Sequence, residues 1–319
     1  FAGFASFGIG CATQVNAIAN IVEKNVGVPG WIVGIVIAVL TAIVIFGGIK
    51  SIANVCEKLV PFMAIFYVLG CLIILGINHD FIIPAIKTIC TLAFTPGAAA
   101  GGLVGTGIMA AMRFGIARGL FSNEAGVGSA PNAAASADVS HPVKQGLVQM
   151  LSVFIDTLLI CSATAFMLLC SGVAPEESLQ GAPYVQQALS AQFGAVGPIF
   201  ITVAMVLFAF TTLIGNLYYV DNCLNYIVGK IPAKEFMVLF RIDAVVLIFI
   251  GAGMEINMVW NLADVLMGVM ALINLPVIVI LSRPALAALK DYVAQRKAGK
   301  NPVFHAADIG LEGKTECWQ

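Results

Sequence analysis

Charge is scarce in this chain. Lys, Arg, Asp and Glu make up 10% of its 319 residues, 16 basic against 17 acidic, and there are three histidines. That scarcity excludes a soluble globular domain of ordinary composition, in which about a quarter of residues are charged. A net charge of −1, with no basic stripe interleaved with aromatics, excludes a nucleic-acid surface. The eight cysteines, at 11, 56, 71, 90, 161, 170, 223 and 317, stand singly, with no CxxC pair and no histidine at ligand spacing. They read as small buried hydrophobes and give neither a disulfide framework nor a metal site. HExxH, GxSxG and paired carboxylates at helical spacing are missing too, which leaves no enzyme signature. The chain opens with Phe-Ala-Gly-Phe, inside an apolar run and without methionine or a charged leader, and this reads as a truncated N-terminus.

What is abundant is apolar: 60% of residues, with a mean hydropathy of +0.98. An all-α polytopic membrane protein follows. A helix needs about 20 apolar residues to cross a bilayer core. Eight stretches meet or approach that length, at about 2–20, 31–49, 60–77, 101–121, 147–171, 197–218, 236–253 and 258–282. Two connections, 81–94 and 182–193, carry shorter amphipathic stretches expected to lie along one membrane face. If even-numbered spans run outward to inward, Lys50, Lys58, Arg118, Lys144, Lys230, Lys234 and the basic residues from Arg283 onward share one side, against Lys24 and Lys87 on the other. The positive-inside rule makes the first side cytoplasmic. Residues 1–282 are then the transmembrane domain and 283–319 a solvated cytoplasmic tail.

Polar groups inside spans are costly in lipid, so each is a candidate for function. The run Arg118-Gly-Leu-Phe-Ser-Asn-Glu-Ala-Gly-Val-Gly-Ser-Ala-Pro131 packs charge, amide, hydroxyl and glycine between two apolar segments. Arg118, Asn123, Glu124, Gly126 and Gly128 are assigned there to gating and helix packing at the cytoplasmic end of the fourth span, away from the substrate. Gln14 and Phe7 are seven residues apart and share a helix face, suited either to a small amphiphilic ligand or to an interhelical hydrogen bond. Gly101 to Gly107, with Gly102 and Thr106, reads as a close-packing face or as a helix break whose freed backbone holds an ion or a carboxylate. Thr211 and Thr212 either bond their own backbone or offer hard oxygens to Na+, and Asn216 shares the face of Thr212. Asp156 and Asp264 are the carboxylates expected at membrane depth, as proton carriers or as structural partners of Arg113 or Arg241.

The long run 118–135, His141-Pro-Val-Lys-Gln-Gly146, Phe154-Ile-Asp-Thr157, Gly47-Gly-Ile-Lys-Ser-Ile52, Phe208-Ala-Phe-Thr-Thr212 and the ending Asn301-Pro-Val-Phe304 with Glu316-Cys-Trp318 together resemble the alanine or glycine:cation symporter family. The resemblance runs from end to end. It implies the leucine-transporter-like fold of the amino acid-polyamine-organocation superfamily, two inverted five-helix repeats, here lacking the first two core helices. It further implies Na+-coupled symport of a small neutral amino acid across the plasma membrane, with no cofactor beyond the coupling ion. The alternatives are a proton-coupled permease and a passive channel. By the same resemblance Phe7, Gln14, Gly102, Thr106, Thr212 and Asn216 would line the substrate pocket, and Thr211 and Thr212 the sodium site. Many members carry tryptophan where this chain has Asn216, a change that admits a larger solute such as glutamine.

Overall fold

The computed structural model describes residues 2–6, 10–94, 105–124, 126–173, 182–228, 234–313, 315 and 318. Among these residues there is no strand. The helices are α1 (Ala2–Ala5), α2 (Cys11–Val26), α3 (Gly30–Phe46), α4 (Gly48–Ile77), α5 (His79–Phe94), α6 (Gly105–Asn123), α7 (Ala130–Ala134) and α8 (Pro142–Phe154). A π-helical segment, Ile155–Cys161, joins α8 to α9 (Ser162–Cys170), and α10 (Ala182–Phe193), α11 (Val196–Val228), α12 (Lys234–Ala252) and α13 (Ile256–Lys297) follow. Boundaries follow local chemistry. Gly27 closes α2 in the left-handed region at φ 75°, and Pro29, with its fixed φ, stands immediately before α3.

Residues 50–77, 142–170, 196–228 and 258–297 form helices long and apolar enough to cross a membrane, and α3 is a shorter apolar helix. These contain five of the expected spans. α6 and α12 are helical where the fourth and seventh were expected, and both short connections are helices. In the first span, α1 and α2 flank residues 7–9, which lie outside the described residues, and α2 runs on to Val26, past the expected limit. At 42 residues, α13 is about 63 Å long, twice the hydrocarbon thickness, so it must project beyond the bilayer.

The most closely packed part joins α2, α3, α11 and α12. Val15 and Ile18 of α2, Ile37 of α3, Leu213 of α11 and Ile248 of α12 are buried together. Small residues set the spacing: a Cβ on Gly251 would lie 3.0 Å from Ala12 Cα, so α12 rides directly on the backbone of α2. Asn16, buried in this interface, donates to the carbonyls of Gly251 at 3.2 Å and Met254 at 2.6 Å, and so satisfies backbone groups where α12 ends. A second core joins α4, α9, α10 and α11 around Tyr67, Met167, Leu189 and Ile201. Outward-facing Ile43, Ile65, Leu239, Leu272 and Val279 are exposed, the arrangement of a surface solvated by lipid.

The tail departs from expectation. Helix α13 does not stop near 282, and the segment after it is docked: Phe304 and Ala306 are buried against Ala288, with Trp318 and Leu311 beside them.

Where α10 meets α11 the approach is backbone to side chain. A Cβ on Gly197 would lie 2.6 Å from Leu189 C and Ser190 N, atoms that cannot rotate away. Gly197→Ala is therefore expected to cost about 1–3 kcal/mol, read as a lower thermal unfolding midpoint in detergent, whereas Gly76→Ala, with open space around it, leaves the midpoint unchanged or raised.

Candidate functional site

Helix α6 stops at Asn123, and the chain re-enters a helix only at Ala130. Between them the backbone turns left-handed three times, at Glu124 (φ 48°), Gly126 (φ 79°) and Gly128 (φ 100°). Glycine relieves the strain at two of these positions and also makes room. A Cβ on Gly126 would lie 2.9 Å from Leu275 Cδ2, and one on Gly128 would lie 3.0 Å from Asn274 Cγ. The loop is thereby seated on α13, where Asn274 Nδ2 donates to the freed carbonyl of Gly126 at 3.0 Å. Glu124 has no such relief and holds a conformation that side chains resist.

The break expected at the glycine-rich 101–107 falls largely outside the described residues. Residues 101–104, with Gly102, lie outside the described residues, and from Gly105 through Thr106 onward the backbone is helix. Phe7 also lies outside them. Among the described residues, a break lies further along, between Asn123 and Ala130. Ser122 Oγ donates to Asp156 Oδ2 at 2.7 Å, and Thr157 Oγ1 donates to Asn123 Oδ1 at 2.8 Å. Asp156 and Thr157 stand midway along the 142–170 membrane-length segment, at the start of its π-helical stretch. π segments widen a helix turn and are frequent at functional sites. The Arg118–Pro131 run, expected at the cytoplasmic end of its span, is thus bonded at Ser122 and Asn123 to the middle of the 142–170 segment.

It borders a cavity of about 580 Å³. Ser122, Glu124 and Ser129 of the break face it, as do Gln14 of α2, Asp156 of the π segment and Thr211, Thr212 and Asn216 of α11. The far wall is apolar, formed by Ala263, Leu266, Met267 and Met270 of α13. Among the described residues, the side-chain amides of Gln14 and Asn216 have no hydrogen-bond partner. Gly10 lets α2 approach α11 here, since a Cβ on it would lie 2.7 Å from the Asn216 amide carbon. Thr211 Oγ1 donates to the carbonyls of Leu207 and Phe208, each at 3.0 Å, and Thr212 Oγ1 donates to Phe208 O at 2.8 Å. Both hydroxyls thus bond their own backbone. In doing so they spend their protons and leave oxygen lone pairs available to a cation. Among the described residues, no three His, Cys, Asp or Glu side chains converge as a resident metal site.

The charged pairs differ from those expected. Asp264 is joined to neither Arg113 nor Arg241. It receives both contacts from Arg118 Nη2, at 3.1 and 2.8 Å, and the guanidinium lies 4.5 Å from the centre of the Trp260 ring. Asp264 is near the start of α13, at the end away from the tail. Arg118 therefore sits on the far side of the break from the tail and cannot count toward a tail-side charge excess. Arg241 pairs with Asp221 at 3.3 Å, both largely buried between α11 and α12. Asp221 was missed because its Tyr-Val-Asp-Asn-Cys context falls after the apolar run of the sixth span, whereas α11 continues to Val228.

The sequence pattern of the sodium:alanine symporter family matches residues 1–306. The chain belongs to that family. That family is one of symporters, and the chain's long apolar helices fit a membrane protein. It is 43% identical over 310 residues to the amino-acid carrier protein AlsT of Bacillus subtilis, covering 97% of this chain and 64% of that one. It is 41% identical over 300 residues to the sodium/alanine symporter AgcS of Methanococcus maripaludis, covering 93% and 64%. With the probable sodium/glutamine symporter GlnT of Bacillus subtilis the identity is 38% over 314 residues, covering 98% and 64%. The chain spans somewhat under two thirds of the length of these family members.

Left-handed backbone and close contact act together at the two glycines of the break. Gly126→Ala and Gly128→Ala are each expected to cost about 1–2 kcal/mol, lowering the thermal unfolding midpoint, while Gly119→Ala, in a helix with nothing near its added methyl, does not lower it.

Proposed function

We propose that the protein is a Na+-coupled secondary symporter of a small neutral amino acid, alanine or glycine with glutamine as the alternative, working by alternating access. The observation that carries this reading is the shared cavity, in which an interrupted helix, two unpaired amides and two lone-pair-bearing hydroxyls meet at mid-span depth. Freed backbone groups at a helix break suit the ammonium and carboxylate of an amino acid, and side-chain and backbone oxygens suit Na+. The names borne by AgcS and GlnT fit both solutes.

In this mechanism Na+ binds beside Thr211 and Thr212, favours the outward-open state and completes the pocket. Gln14 and Asn216 contact the amino acid, with Phe7, Gly102 and Thr106 assigned to the same wall by family resemblance. The α6–α7 break is the discontinuous helix of an inverted-repeat, leucine-transporter-like fold of about eight spans over residues 1–282. Helix α10 is the outer lid. Opening it would break the Gln186–Asn25 and Asn78–Gln192 amide bonds, 2.7 and 2.8 Å long, that now tie it to α2 and α4. Arg118 and Asp264 join α6 to α13 on that same outer side. Asn123, Glu124, Gly126 and Gly128 form the part that repacks. With Arg118 removed from the count, lysine and arginine still gather at the tail end, so the plasma membrane is crossed with residues 283–319 in the cytoplasm.

A proton-coupled variant would use Asp156, which faces the cavity together with Glu124. Uptake of radiolabelled alanine, glycine and glutamine into proteoliposomes, under an imposed Na+ or H+ gradient, separates these readings. Accumulation above equilibrium driven by Na+ is expected; uptake that only equilibrates would mean a channel, and accumulation driven only by H+ would mean the proton variant. Thr212→Val should raise the Na+ concentration for half-maximal uptake about tenfold, equivalent to about 1.4 kcal/mol, and an unchanged Na+ dependence would remove Thr212 from the ion site.

A further inference from the structure

Residues 301–311 fold back over the tail-side ends of α8 and α13. The Phe304 N–H donates to Ser140 O at 3.0 Å and Ser140 Oγ donates to Pro302 O at 2.9 Å, pairing this segment with the residues that lead into α8. On the α13 side, Gln295 holds Val303 twice, donating to its carbonyl at 2.9 Å and accepting its N–H at 3.0 Å. His141 stands between, fully buried. Its Nδ1 accepts the Val143 N–H at 3.2 Å and caps α8, which leaves the ring proton on Nε2, 3.2 Å from Asp291 Oδ2. The rings of Tyr292 and Phe304 meet His141 edge-on, each at 5.1 Å.

An apolar cavity of about 510 Å³ lies among Gly146 and Met150 of α8, Pro284 and Ala288 of α13, and Phe304, Leu311 and Trp318 of the docked segment. The polar node and the apolar contacts of Phe304 and Ala306 with Ala288 and Val143 together bridge the two helices beside this cavity. Helix α13 also carries Pro276 and Pro284, each of which removes a backbone hydrogen bond and favours a bend. Pro276 is two residues beyond Asn274, the residue bonded to Gly126 in the helix break. A bend there moves a partner of the cavity wall.

We propose that residues 301–311 are a releasable clasp. Docked on His141 and Gln295, the segment holds the tail-side halves of α8 and α13 together; released, it lets α13 bend at its prolines and loosens the break, opening the cavity toward the tail side. Its polar bonds suit this role, because each contributes only about 1 kcal/mol net and they are lost together.

Hydrogen–deuterium exchange on the protein in lipid nanodiscs tests the clasp without reference to any transported solute. Removing the chain after Lys300 should speed exchange about tenfold in peptides spanning 122–129 and 274–288, while peptides of α2 and α12 stay protected. In a second variant, Lys144→Cys with Asn301→Cys and native cysteines replaced, a short reducible thiol cross-linker joins side chains that now touch at 2.9 Å. The cross-linked form should exchange several-fold more slowly in those same peptides, with the faster rate restored by reductant. Exchange at 122–129 and 274–288 that is unchanged by the cross-link, or by removal of the segment with α2 and α12 still protected, would overturn the proposal.

Discussion

Backbone N–H and C=O groups cannot be left bare in lipid, and the interruption between α6 and α7 concentrates several of them at the depth where water is least available. Much of the surrounding structure answers that constraint. Asn274 takes up the carbonyl of Gly126, Val127 N–H turns back to Glu124 O at 3.3 Å, and Ser122 and Asn123 at the end of α6 bond to Asp156 and Thr157. The π segment gains meaning in the same way. By widening the middle of the 142–170 helix, it presents two consecutive polar side chains to the end of α6. What the protein does not satisfy internally lines the cavity, and that residue of unmet polarity is what a solute with its own charges can use.

The molecule has two kinds of packing, and they divide its labour. α2, α3, α11 and α12 meet through small residues, buried aliphatics and Asn16, an interface with no slack. α8 and α13 meet through a polar node at one end and a cavity beside it, while α6 reaches α13 through the Arg118–Asp264 pair. Close-packed apolar interfaces resist sliding, because any shift opens voids. Ion pairs and hydrogen bonds between partly exposed groups can be exchanged for others at small net cost. Under the proposed alternating access, α6–α7, α8 and α13 would move against a scaffold that carries Thr211, Thr212 and Gln14 on its face.

Helices were legible in the sequence because long apolar runs have few alternatives in lipid, and 182–193 was legible because its apolar stretch is short and opens at a proline. The helix break was legible only as a motif. Glycine density favoured 101–107, most of which lies outside the described residues, whereas the described break stands between Asn123 and Ala130. What ends α6 is the combination at 122–129 of polar side chains with glycines that permit left-handed turns, seated against Asn274 and Leu275 some 150 residues later in the chain. No local pattern contains that partner. The same holds for the ion pairs, since Arg118 and Asp264, or Arg241 and Asp221, find each other through helix packing that the hydropathy pattern does not encode.

The placement of Arg118 changes how the charge pattern is to be read. An arginine counted by sequence at a helix end would normally mark the cytoplasmic surface, but here the helix end is internal and the arginine lies on its other side. Held by a carboxylate and the face of Trp260, its charge is accommodated without reaching water at the tail side. A topology argument that counts basic residues at apparent span ends thus misplaces any that border an interrupted helix, and the error coincides with the functional site because the interruption is what makes that site. Lys144, at the start of α8, and Arg283 with the later cluster, along the tail-side end of α13, do not border the interruption between α6 and α7.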